Sequence, residues 1–130
     1  MTDKNKKIRR GDIYYADFGN SGDSAQNGVR PALVISNNLG NEYGPTVIVV
    51  AVTSKKKKLN MPTHLILECG TGLNRPGIVM AEQVKTMDKS SLQEKVGKVS
   101  NEFLEKVDRA ISISVGLIPK YNEEPTRRNN

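Results

Sequence analysis

The run Thr46-Val47-Ile48-Val49-Val50-Ala51-Val52-Thr53 constrains this chain more than any other stretch. Five of its eight residues are valine or isoleucine, whose branched Cβ atoms pack well on a pleated surface. Both alternating faces are apolar, so the strand must be covered on both sides and belongs at the centre of a sheet. The other segments read as partners for it. Asp12 to Phe18 is rich in strand formers, and Ala32 to Ser36 is a second strand that follows Pro31. His64 to Glu68, Ile78 to Met87 and Lys95 to Val99 supply further short strands. Asn37 to Pro45 is turn chemistry, and Asp88 to Leu92 reads as a single helical turn with Asp88 as its cap.

One long helix closes the domain. Ser100 or Asn101 can cap it, Glu102 suits its first turn, and Pro119 stops it. Phe103, Val107, Ala110, Ile111, Ser114 and Ile118 recur at helical spacing and form one apolar face. Leu104, Val115 and Leu117 lie partly off that stripe, which fits either an oligomer contact or a deeper core. Six or seven short strands around one core with a terminal helix predict a mainly β fold, a small, strongly bent sheet or partly open barrel.

At 130 residues the chain is expected to form one domain, spanning 8–119, with a basic tail at 1–7 and a second tail at 120–130. It carries a formal charge of +6, much of it in the first ten residues. The stretch 11–118 holds twelve basic and eleven acidic side chains, so the excess is expected in the tails. Lys55 to Lys58 is the exception, open to reading as a solvated turn or as a tracker of a nucleic-acid backbone. No apolar run approaches the ~20 residues of a membrane span. The only cysteine, Cys69, has no partner for an internal disulfide and suits a cytoplasmic setting. With a single histidine, His64, a His/Cys zinc site is excluded.

The chemistry has to be built from few groups. Cys69 lacks a basic partner at a motif spacing, and no glycine-rich phosphate loop is present. What stands out is Arg30-Pro31 at the junction between the polar loop 19–28 and a strand. Proline holds the preceding residue extended, so Arg30 is anchored on a rigid element beside a long loop. Its planar fork of donors matches phosphate oxygens, although a surface salt bridge would serve the same residue. Arginine, hydroxyls and backbone groups suffice for cleavage of RNA by its own 2′-hydroxyl. There the nucleophile is part of the substrate, and the protein need only align it and stabilise charge. Arginine is a poor proton acceptor, so a general base is left unassigned.

The segments Arg9 to Phe18, Gln26 to Asn37, Pro45 to Ser54, Pro62-Thr63-His64 and Glu82 to Thr86 follow one another as in the MazF/PemK toxins, which the chain resembles over residues 8–118. The resemblance implies an SH3-like, PemK-like barrel that forms a homodimer in the cytoplasm. It implies a metal-independent endoribonuclease, needing no cofactor, that cuts single-stranded mRNA at a short sequence and leaves 2′,3′-cyclic phosphate and 5′-hydroxyl ends. The partner it implies besides mRNA is a MazE-like antitoxin, and it implies no membrane association. The family's catalytic arginine and threonine fall on Arg30 and Thr53. RNA-binding positions fall on Gln26, Asn27, Gly28, Ser36, Lys55, Lys56, His64, Glu82, Gln83, Lys85 and Thr86. Where many relatives carry a loop glutamate, this chain has Ala25. Two other readings stay open: a toxin of the same fold that poisons DNA gyrase, and an RNA-binding module without chemistry.

Overall fold

The computed structural model describes residues 7–20, 27–54, 61–68 and 70–122. Six strands form one antiparallel sheet: β1 (Asp12–Asp17), β2 (Val29–Val34), β3 (Thr46–Thr53), β4 (His64–Ile66), β5 (Ile78–Asp88) and β6 (Leu92–Lys98). Their spatial order is β4-β5-β3-β2-β1-β6. The valine-rich strand is β3, and it lies between β5 and β2 as its two apolar faces require.

Each face of the sheet carries its own core. On one face Tyr14, Ala16, Phe18, Ala32, Val34, Val49, Ala51 and Met80 pack together under Ile8 and Leu92. On the other, Ile13, Leu33, Val50, Val52 and Val79 meet Phe103 and Val107 of the long helix α2 (Asn101–Ser114). The alternation of neighbours such as Leu33 and Val34 between these clusters is the period-two pattern of a strand buried on both sides.

Several expectations shift. A short helix, α1 (Asn38–Tyr43), stands where turn chemistry was expected. Asn37 caps it by accepting from the Gly40 amide at 2.7 Å. Strand β2 begins at Val29, three residues early, and β6 begins at Leu92. The 89–91 turn forms, but Asp88 makes no side-chain cap bond to it. Ser100 does cap α2, accepting from the Phe103 amide at 3.1 Å. That helix ends well before Pro119. Gly116, at φ +81°, adopts the left-handed conformation open to glycine and donates to the Ile113 carbonyl, while Leu117 donates to that of Ser112. Val115 and Leu117 beyond it are exposed. Arg9 and Arg10, counted above with the tail charge, are tied to the domain. The Arg9 amide donates to Asp12, and the Arg10 guanidinium pairs with Asp108 of α2. Among the described residues no helix is long and apolar enough to cross a membrane.

Candidate active site

The site grows from the place where β2 and β3 part. They pair from Val34 opposite Val49 to Ala32 opposite Ala51, and there the ladder stops. Pro31 comes next and carries no amide to extend it. β2 stays paired to β1 through Val29, and β3 stays paired to β5 through Thr53. A wedge therefore opens between two strands that are each held from the outside. Continuing the register by two residues sets Arg30 opposite Thr53, on one face of the sheet. Both line a cavity of about 310 Å³ whose walls also include Tyr15, Val29, Pro31 and Val52.

Thr53 is only 1% exposed, so its side chain is part of the cavity wall. Arg30 is half-buried, and its Nε donates to the Asn27 carbonyl at 2.8 Å. That bond occupies one edge of the guanidinium and leaves the Nη arms for a ligand. The same bond ties Arg30 to the neck of the 19–28 loop. The neck is closed by Phe18 donating to the Gly28 carbonyl and Gly28 donating to that of Gly19, both at 2.8 Å. Gly19 and Gly28 have φ values of +71° and +73°, the left-handed conformation that lets the chain turn away at both sides. Asp17 adds a carboxylate oxygen that accepts from the Gly19 amide at 2.8 Å.

The segment that leads into β5 adds Leu73, Asn74, Arg75 and Pro76 to the lining. The sequence assigns this segment, between the strands at 64–68 and 78–87, no role of its own. The available signal was the dipeptide Arg75-Pro76, which repeats the chemistry of Arg30-Pro31. The described lining thus holds two guanidinium groups, the Thr53 and Ser54 hydroxyls, and no carboxylate. Among the described residues no group of three or more His, Cys, Asp or Glu side chains gathers at one point.

The other expected residues fall into separate groups. His64 is buried on the edge strand β4, with its Nε2 at 2.8 Å from a Glu82 carboxylate oxygen. Glu82 reaches it from a bulge. Val50 pairs with Val84 but Ala51 pairs with Met80, so Ala81, Glu82 and Gln83 are extra residues on β5. Such a bulge re-aims side chains, and it separates this pair from the regular strand beyond. Lys85 and Thr86, past the bulge, line a second hollow of about 390 Å³ with Phe18 and Gly19. Lys85 Nζ donates to the Phe18 carbonyl at 2.9 Å, so it braces the loop neck from behind.

Ser36 lies away from the cavity, beside Ile48, whose β5 partner is Thr86. It lies six residues along the chain from Arg30, up to about 20 Å at ~3.3 Å per strand residue. Its hydroxyl donates to Asn41 of α1 and accepts from the Ile48 amide at 3.1 Å. Gln26, Lys55, Lys56 and the remaining lysines of the run, together with Ala25 and Cys69, lie outside the described residues.

A six-stranded antiparallel sheet with a long terminal helix, opening at the end of a central strand onto an arginine-lined cavity, defines a small, mainly β fold with a cationic pocket. The family model for the PemK-like, MazF-like toxin of type II toxin–antitoxin systems matches residues 9–115. Endoribonuclease EndoA of Bacillus subtilis (strain 168) is 41% identical over 112 residues, covering 85% of this chain and 97% of that protein. An endoribonuclease from a mycobacterial species, solved in complex with its cognate antitoxin, superposes with a TM-score of 0.72 at 27% identity, over 85% of this chain and 97% of that one. MazF from Deinococcus radiodurans matches in fold, with a TM-score of 0.75 at 24% identity, over 86% of this chain and 99% of that one. The chain belongs to the PemK-like, MazF-like toxins of type II toxin–antitoxin systems.

Proposed function

We propose that this toxin cleaves single-stranded mRNA at the wedge between β2 and β3, using the substrate's own 2′-hydroxyl and no metal. The chain is a MazF-like endoribonuclease toxin, and its partners are RNA and a cognate MazE-like antitoxin. The gyrase-poison and binding-only readings have nothing comparable behind them. The observation that carries the mechanism is the register that sets Arg30 opposite Thr53 across a cavity with no carboxylate in its described lining.

In the reaction the 2′-oxygen bonds to phosphorus and the bond from phosphorus to the 5′-oxygen breaks. The proton lost by the first oxygen is matched, through solvent, by the proton gained by the second. Negative charge concentrates on the non-bridging oxygens, where the free arms of Arg30 stabilise it. The Thr53 hydroxyl, on a strand that β5 holds through Ile78, orients the phosphate. Arginine does not act as the base, because it holds its proton throughout. His64 is engaged with Glu82 and is absent from the described cavity lining, so its role is structural or in contacting RNA.

The toxin domain spans 8–119 and works as a cytoplasmic homodimer. Asn27 and Gly28 at the loop neck, Gln83 on the bulge, and Lys85 and Thr86 at the second hollow border the RNA path. Unstacked bases are read along it, as is general for single-stranded RNA. The test is incubation of the chain with mixed-sequence RNA in EDTA. Fragments cut at one short sequence, ending in 2′,3′-cyclic phosphate and 5′-hydroxyl, support the mechanism. Cleavage that requires added metal, or that leaves 3′-hydroxyl ends, overturns it.

A further inference from the structure

We propose that Arg75 is a second phosphate-binding residue of the cleavage cavity, engaging the RNA phosphate next to the one held by Arg30. This rests on the ribonuclease reading above and extends it to a residue that nothing else assigns.

Arg75 lines the same cavity as Arg30 and Thr53, three residues before Ile78, the β5 partner of Thr53. Among the described residues it has no hydrogen bond or ion pair, although Arg10 is satisfied by Asp108 and the Ile35 carbonyl. Two guanidinium groups facing one cavity repel each other, and no carboxylate in the described lining offsets them. A bound anion would, and a backbone with one charge per nucleotide can meet both groups at once.

The segment carrying Arg75 is fixed. At its start Gly72 crosses the β6 backbone so closely that a Cβ there would lie 2.1 Å from the Val96 carbonyl oxygen. Reciprocally, a Cβ on Gly97 would lie 1.7 Å from that of Thr71. At its end Gly77 leaves only 2.8 Å between such a Cβ and Val52 of the cavity wall. Between these contacts Leu73 packs on the core beneath α2. Arg75 precedes Pro76 as Arg30 precedes Pro31, although the chain bends at Asn74 and Arg75 where Arg30 lies in a strand. Arg75 is therefore carried on a strap whose backbone is pinned at both ends, so the root of its side chain is held beside the cavity.

The experiment compares the full chain with Arg75→Ala, Arg75→Lys and Arg30→Ala. Binding is read by fluorescence anisotropy on an uncleavable 2′-O-methyl oligonucleotide carrying the cleavage sequence, across a salt series. Cleavage is read on the matching RNA. Arg75→Ala should weaken binding roughly 5- to 10-fold near ~50 mM salt and flatten the plot of log affinity against log salt by about 0.7, the loss of one single-strand phosphate contact. The cleavage defect should fall more on KM than on kcat, and Arg75→Lys should recover the salt slope. An unchanged slope and KM in Arg75→Ala, with Arg30→Ala inactive, overturns the role of Arg75 and leaves the ribonuclease reading standing. A wild-type chain that neither binds nor cuts RNA overturns both. Arg75 is exposed, so its replacement is not expected to move the melting temperature.

Discussion

Arg30→Lys separates a positioned fork from a mere positive charge. Lysine keeps the charge but presents a point ammonium on a flexible stem. Two interactions go with the guanidinium. The first is the 2.8 Å bond from Nε to the Asn27 carbonyl, a neutral acceptor, worth about 0.5–1.5 kcal/mol. The second is one arm of a bidentate contact to the phosphate, worth about 1.5–3 kcal/mol as a charge-assisted bond. The first is made before and during the reaction and leaves the barrier unchanged, so loss of the second removes about 1.5–3 kcal/mol from the transition state, or roughly 10- to 160-fold in rate. The assay is single-turnover cleavage of a short fluorogenic RNA at saturating enzyme, with a thermal melt to show that the fold is intact. Arg30→Ala should be at least as slow. If Arg30→Lys cleaves within about threefold of the wild type, the arginine acts as a simple charge and the fork argument fails.

Thr53→Val replaces a wall residue by its isostere and should lower kcat by about 10- to 100-fold, with Thr53→Ser retaining most activity; equal rates for Val and Ser would remove the hydroxyl from the mechanism. Gly97→Ala puts a methyl 1.7 Å from the Thr71 oxygen, so the strap must move. A destabilisation of about 1–3 kcal/mol in urea titration is expected, and an unchanged midpoint would show that the contact yields freely. Tyr14 is 2% exposed, and burial, reinforced by the Asp12 charge, pushes its phenol above 10.0. A folded-state value above the unfolded one favours the protonated form in the fold. This contribution is complete below the unfolded pKa and is lost as pH rises through 10.0 towards the folded value. Tyr14→Phe should flatten the alkaline fall in urea midpoint, and an identical slope in both proteins would remove Tyr14 from the pH dependence.

What was legible in the chain were features whose cause is local. Thr46 to Thr53 announces a central strand through β-branched residues on both faces, and Ser100 announces a helix start through its capping hydroxyl. Features set by distant backbone were not legible. Pro119 looked like the stop for α2, but Gly116 ends it five residues after Ile111, where the apolar face leaves the core. Asn37 to Tyr43 has too little apolar periodicity to declare a helix. It forms one because Asn41 is buried against Ser36, whose hydroxyl in turn holds the Ile48 amide. The bulge that swings Glu82 to His64 is a register event between β3 and β5, invisible in the alternation of β5 alone. Arg75 was missed because its place depends on two glycines, 72 and 97, that touch across 25 residues of chain.

On the mechanism proposed above, the two arginines give an ordinary sheet a phosphate site at one end. A fully paired β2–β3 ladder would bury the space between Arg30 and Thr53. Pro31 stops that ladder without freeing either strand, because β1 holds β2 and β5 holds β3 as far as the cavity mouth. The wedge is therefore open but stiff, which transition-state stabilisation demands, since donors that must rearrange during reaction lose their advantage. The second Arg-Pro pair joins the lining on a strap that is itself pinned to β6. Charge alone could have come from the lysines of the adjoining run. What Pro31 and the bond to the Asn27 carbonyl add is a fixed direction for the Arg30 guanidinium, which a mobile ammonium lacks. On this argument, replacing Pro31 with alanine should cost rate before it costs stability, because the ladder could then zip one residue further and narrow the site.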